Sequence, residues 1–180
     1  MEAILRAIPK EVAIATYVRT REALHIYNRP VTDVSKPKEK IDLQPIIDSG
    51  LLKLVSPNSE SEQNDVVYFS QKDLNTGQMI TTGEAITGAI AKSRNWAMGL
   101  DDKDAIAMFS RELPNLQRFP TLFFVQHWEQ TSQPTPDMVR QVLQNISLRA
   151  RHRPKATDSY YSWWESRIKQ TIASPGSDPE

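Results

Sequence analysis

The chain is predicted to fold as an α/β domain, because short apolar runs alternate with longer segments of helical periodicity. Length agrees: 180 residues and 20.5 kDa make one ordinary domain, or one domain with a helical extension. Composition agrees as well, since 39% hydrophobic and 8% aromatic residues suffice for a core and are not a disordered mixture.

The turn around Ile4, Leu5 and Ile8 reads as helical, and the apolar run Val12–Ala15 behind it as a short strand. Tyr17–Tyr27 then reads as a helix. Asn28–Lys40 carries Pro30 and Pro37 among charges, which makes it a surface loop. Leu43–Leu51 is a short helix closed by Gly50, and Leu52–Val55 a second strand. A polar connector, Ser56–Asn64, leads to two helices, Asp65–Leu74 and Met79–Asn95, separated by Asn75, Thr76 and Gly77. Trp96–Leu100, an apolar run between two helices, is expected to be a buried parallel strand. Lys103–Leu113 is a helix stopped by Pro114, Leu116–Phe119 a short fourth strand, and Thr121–Glu129 a helix. From Pro134 the chain changes character. Asp137–Arg151 and Ser159–Ile172 are helices joined through Pro154, and Ser174–Glu180 is a frayed tail.

Charge and composition narrow the chemistry. Lysine plus arginine and aspartate plus glutamate each number 22, so nothing global draws the chain to nucleic acid or membrane, and any such binding needs a local patch. The absence of cysteine removes disulfide scaffolds, thiolate metal sites and cysteine nucleophiles together. Three scattered histidines, His25, His127 and His152, do not make a zinc site. The opening residues are broken by Arg6, Pro9, Lys10 and Glu11, and no apolar run reaches the roughly 20 residues a bilayer requires. A reducing cytoplasm is the expected location. No serine triad, Walker loop or dinucleotide fingerprint is present. His127, on the helix after LFFV, reads as a packed or surface residue.

The most informative segment is TTGEAITGAIAKSRNWAMGLDDKDA, Thr81–Ala105. It sets Glu84 in the first turn of a helix lined with Ala85, Gly88, Ala89 and Ala91, small residues that let a helix lie close against a sheet. The chain then enters a strand and delivers Asp101 and Asp102 at its carboxyl end, where ligands bind in open α/β sheets. Carboxylates converging there suit a hard divalent cation such as Mg²⁺, with the Glu84 and Asp101 carboxyls expected within about 8 Å. The same residues have a second explanation. Thr81-x-x-Glu84 is a capping box, and Asp102 before a helix is an N-cap.

The run GEAITGAIAKSRNWAMGLDDKDA resembles the second half of a PIN domain, the nuclease fold of VapC-type toxins. Similarity extends back through SGLLKLVSP and VAIATYVRTREAL and forward to the Thr121 turn and helix, so it spans roughly Leu5–Trp128. The resemblance implies a three-layer sandwich around a mostly parallel sheet, an acidic Mg²⁺ or Mn²⁺ site, and cleavage of RNA. Position by position, it assigns metal-binding acids to Glu84 and Asp101, with Asp102 beside the latter. The family's helix acid falls in YVRTREAL, where strict spacing from Val18 gives Arg21 and a one-residue offset gives Glu22. Arg19 and Arg21 are alternative partners for the Glu22 carboxylate.

The family's opening strand, which ends in an aspartate, has no counterpart here. The first aspartate of the chain is Asp33, and Met1–Ile8 matches the helix that should follow that strand. Either the natural chain begins further upstream or the domain is a non-catalytic remnant. Without a central strand, its neighbours must pair directly or stay partly open. On this reading residues 1–133 form an N-terminally incomplete PIN-like domain, 134–173 a C-terminal helical extension and 174–180 a flexible tail.

Between Gln141 and Lys155 stand Arg149, Arg151, Arg153 and Lys155, with His152 and no acid, a stretch on which phosphates can dock. Ordinary solvated surface is the plainer account. Tyr160, Tyr161, Trp163 and Trp164 either stack on unpaired bases or close their helix onto the core. The expected function is a metal-dependent ribonuclease of the toxin type, intact or truncated. Glu84 and Asp101 would be direct Mg²⁺ or Mn²⁺ ligands, and Asp102 and Glu22 ligands or orienters of the metal's water. The alternative is a non-catalytic nucleic-acid- or protein-binding module on the same fold, with a small-molecule-binding domain third. RNA, an antitoxin-like protein and a second copy of the chain are the partners this implies; a membrane is not.

Overall fold

Short parallel strands and longer helices alternate along the chain, the mixed α/β order expected from the sequence. A computed structural model describes residues 1–27, 38–71, 77 and 79–169. In order run α1 (Glu2–Ala7), β1 (Ala13–Ala15), a π-helical turn (Val18–Glu22), β2 (His25–Tyr27), β3 (Lys38–Lys40), α2 (Gln44–Asp48), β4 (Lys53–Val55) and α3 (Glu60–Ser70). They are followed by α4 (Thr82–Arg94), β5 (Met98–Gly99), α5 (Lys103–Glu112), β6 (Arg118–Phe119), α6 (Thr121–Ser132), α7 (Pro136–Arg149) and α8 (Tyr161–Lys169). No helix among the described residues is long and apolar enough to cross a membrane.

β1 pairs in parallel with β4, Ala13 opposite Lys53, and β5 in parallel with β6, Met98 opposite Arg118. Parallel pairs need a long crossover. The β2–β3 hairpin and α2 lie within the first, and α5 supplies the second. Among the described residues the three strand pairs are separate two-stranded sheets. β1 and β5 both pack on α4, yet they do not hydrogen-bond to each other. The Lys53 amide donates to the Val12 carbonyl, and the Met98 and Leu100 amides donate to the Gln117 and Phe119 carbonyls. Alternation along a parallel ladder therefore turns the amides of Ala13, Ala15 and Gly99 away from their paired strands. The two parallel pairs share a helix without sharing a sheet.

Small residues make α4 that shared helix. Ala85 and Ala89 form one i, i+4 row, against β5, α5 and Phe69 of α3. Ile86 and Ile90 form the next row, against Ala15 of β1. Gly88 lets the Phe109 ring approach the helix, because a Cβ there would lie 2.3 Å from the ring. Phe109 meets Phe69 edge-on, with centroids 5.2 Å apart. A second core joins α1 to α6, α7 and α8. Leu122, Val125 and Trp128 of α6 pack with Val139 and Leu143 of α7, Trp164 of α8, and Ile4 and Ala7 of α1. Trp164 is thus a core residue, and the Trp163 indole donates to Glu129 at 2.7 Å.

Several boundaries differ from expectation, each for a physical reason. The expected helix Tyr17–Tyr27 ends at Glu22, and His25–Tyr27 becomes a strand. That helix would bury no residue of Val18–Glu22, whereas the strand gains a partner in Lys38–Lys40, the end of the expected surface loop. α3 begins at Glu60, inside the expected connector, because the Ser59 hydroxyl caps the Glu62 amide. Only Met98 and Gly99 of the expected strand Trp96–Leu100 pair; Met98 and Leu100 are buried, but Trp96 is exposed with the Arg94 guanidinium over its ring. α3 closes at Ser70, with Gln71 extended behind it, before the Leu74 end expected; most of the loop after Tyr27, the Asn75–Thr76 break and the tail Ser174–Glu180 lie outside the described residues.

Candidate acidic site

β5 ends at Gly99, and the next charged residues serve as caps. The Asp102 carboxylate accepts the amides of Asp104 at 2.9 Å and Ala105 at 3.0 Å, opening α5. The Asp101 carboxylate turns the other way, accepting the Thr121 amide at 3.0 Å and the Thr121 hydroxyl at the start of α6. At the start of α4 the capping box is complete: the Glu84 carboxylate accepts the Thr81 amide at 2.7 Å, and the Thr81 hydroxyl accepts the Glu84 amide at 3.2 Å.

Glu22 reaches this place from the β1 side. Its carboxylate accepts the Gly83 amide at 3.1 Å, on the first turn of α4. The seat exists because residue 83 is glycine, since a Cβ there would stand 2.1 Å from Glu22 Oε2. Neither Arg19 nor Arg21 pairs with Glu22 among the described residues, and the buried Arg19 Nε has no hydrogen-bond partner among them.

Glu22, Glu84, Asp101 and Asp102 therefore line one cavity of about 350 Å³, floored by Gly83 and Thr87 of α4. All four candidate acids are brought together. Each is committed as a cap or anchor, as the capping explanation requires. Yet Glu22 Oε2, Glu84 Oε1 and Asp102 Oδ2 accept no hydrogen bond among the described residues. An ionised carboxylate offers about four lone-pair sites, so capping leaves capacity for another ligand. Oxygen-only donors suit a hard cation. The described residues nonetheless contain no group of three or more acids or histidines close enough to hold a metal ion by themselves.

The basic stretch lies alongside. Arg149 pairs with Glu39 of β3, the Arg151 guanidinium stacks 3.5 Å from the Tyr27 ring centroid, and that of Arg153 lies 5.4 Å from Trp164. Between them His152 Nε2 stands 3.9 Å from Asp101 Oδ1. Lys155 lies against Lys103, whose ammonium holds that of Lys155 below the usual lysine range. Sequence reasoning missed His152, Gly83 and Thr121 as parts of the site. A glycine directly before Glu84 was the available signal for the Glu22 seat. His152 carries none, because its neighbour Asp101 is far away in sequence. No family model, curated protein or solved structure matches the chain.

Proposed function

We propose that the chain is a PIN-like, toxin-type, metal-dependent endoribonuclease domain whose acid set is incomplete within these 180 residues. One observation carries the reading: four acids from three separate segments line a single cavity where β1 and β5 end. Glu84 and Asp101 would hold a Mg²⁺ or Mn²⁺ ion, with Asp102 and Glu22 as further ligands or as acceptors for its waters. Such an ion, when bound, supplies a water of lowered pKa and neutralises phosphodiester charge. Thr121 holds the Asp101 carboxylate in one orientation, and Gly83 does the same for Glu22. The basic turn after α7 supplies phosphate contacts at the cavity's edge.

A three-layer sandwich belongs to the same proposal. A further parallel strand pairing with the open amides of Ala13, Ala15 and Gly99 would join the two strand pairs into one sheet above α4. It would also bring its own terminal residue to the acidic cavity. An antitoxin-like partner and a homodimer rest on the family resemblance alone.

The test is Mn²⁺-dependent cleavage of a mixed RNA pool, by the 180-residue chain and by a version extended with an apolar strand ending in aspartate. Little or no cleavage is expected from the chain alone, because Mg²⁺ and Mn²⁺ are held weakly by few carboxylates. The extended version should cleave, and Asp101→Asn should abolish it. Extension without gain, or cleavage indifferent to Asp101→Asn, removes the reading. The commitment of every acid to a cap favours the second reading, a non-catalytic nucleic-acid- or protein-binding module, which predicts RNA binding without cleavage in both forms.

A further inference from the structure

We propose that one face of the β2–β3 hairpin is a docking surface for single-stranded RNA, on which Lys38 and Lys40 take successive phosphates and the Tyr27–Arg151 pair takes a base. The proposal rests on the ribonuclease reading and adds to it the surface along which a substrate strand is laid.

Register fixes the face. His25 stands opposite Lys40 and Tyr27 opposite Lys38, so these four side chains share one side of the ribbon. Alternation sends Glu39, the only acid of the two strands, to the other side, where it pairs with Arg149. Lys38 Nζ lies 5.7 Å from the centroid of the Tyr27 ring, and the guanidinium carbon of Arg151, from the turn after α7, lies 3.5 Å from it. Arg151 adopts φ of +54°, a left-handed conformation that a non-glycine residue keeps where its surroundings over-determine it. Lys38, Lys40 and Arg151 are exposed, and among the described residues none of them meets a carboxylate.

A chain with equal numbers of acids and bases thus gathers three cations and no acid on one small face. Lysines on a short edge strand also deter strand pairing, but that use needs no ring with a guanidinium stacked on it. Lys38 and Lys40 are two residues apart, about 6.8 Å along an antiparallel strand, close to the step between successive phosphates of an extended nucleic-acid strand. Aromatic rings and guanidinium planes stack on unpaired bases, whereas an acidic peptide would use the lysines and leave the ring idle. The face also reaches the acidic cavity from two directions. β2 begins three residues after Glu22, and Arg151 adjoins His152, which stands 3.9 Å from Asp101.

The experiment follows binding of a labelled single-stranded RNA to the 180-residue chain against salt, in EDTA so that no metal-dependent cleavage intervenes. Thermal melting confirms that each variant is folded. Lys38→Gln/Lys40→Gln should show a slope shallower by about 1.4, the value for two lost single-strand phosphate contacts. Lys10→Gln/Lys53→Gln, the same charge change near the amino ends of β1 and β4, should leave the slope within error of the wild type. Tyr27→Leu should weaken binding several-fold, and Tyr27→Phe should not. A slope unchanged in the first variant, or changed as much in the second, overturns the surface. So does Tyr27→Leu that binds like the wild type, and in each case RNA binding elsewhere on the chain leaves the ribonuclease reading standing. Polyglutamate that binds as tightly as RNA marks a face for acidic protein and also overturns the surface. RNA held on this face by a chain whose strand-extended version does not cleave supports the surface and removes the ribonuclease reading alone. No RNA binding at all overturns both.

Discussion

β5 and β1 each deliver acid to the same cavity, and they do so by opposite routes. After β5, Asp102 caps the very helix it begins, and Asp101 caps α6, 20 residues on. After β1, Glu22 arrives through a π-helical turn and is seated on an amide 61 residues away. The β5 side is held by amides that any helix start provides. The β1 side depends on the absence of one Cβ on a different helix. At Asp102 the β5 arm is thus locally encoded, whereas the Glu22 arm is set by tertiary packing.

The largest effect should come from breaking what both arms share. Phe109→Ala empties the fully buried ring that Gly88 admits against α4, and should cost about 3–5 kcal/mol in urea unfolding. A loss below about 1 kcal/mol would mean that α4 is not the common floor.

Next is the anchor of the β1–β4 arm. Glu62, almost wholly buried, is bridged by Arg94, which also donates to the Ser56 carbonyl just after β4. Arg94→Ala strands that carboxylate and should cost about 3 kcal/mol. The Arg94 hydrogen bond holds the Glu62 carboxyl below the ordinary carboxylate range. Its contribution is therefore fully present above the unfolded pKa of about 4.3 and is lost as pH falls through the folded value. Urea midpoints at pH 6 and pH 3 should differ less in Glu62→Gln than in the wild type.

Two smaller substitutions separate the arms. Gly83→Ala must displace Glu22, and overpacking of about 1–3 kcal/mol is partly offset by about 1 kcal/mol of helix propensity. Glu22→Gln in that background should then change divalent-ion affinity little, whereas in the wild type it should weaken it. Asp102→Ala removes the α5 cap, costing about 1 kcal/mol in thermal melting, and should leave the Glu22 seat intact.

The same contrast explains what the sequence disclosed. The helix at Thr82–Arg94, the strand at Met98 and Gly99 and the caps at Glu84 and Asp102 follow from periodicity and capping signals a few residues apart. The single helix expected over Tyr17–Tyr27 gives way to a strand at His25–Tyr27 because these residues pair with Lys38–Lys40, a pairing that no local pattern announces. The Glu22 seat and the His152–Asp101 approach are likewise contacts between distant segments. Tyr160, Tyr161, Trp163 and Trp164 have core closure as the plainer account in sequence, and Trp164 is buried in the cluster with Leu143 and Trp128. The basic residues of the turn after α7 read alike in sequence, and only the structure shows Arg149 paired with Glu39 and Arg151 over the Tyr27 ring.

The central claim is that Glu84 and Asp101 hold a cation at this cavity although both serve as caps. Mn²⁺ titration followed by electron paramagnetic resonance, on the wild type and on Glu84→Gln and Asp101→Asn, tests it most directly. Weak but saturable binding in the wild type, lost in both variants while their melting temperatures stay within a few degrees, is the predicted result. Wild-type Mn²⁺ that remains free throughout, or binding that neither variant alters, would show that these carboxylates do nothing but cap.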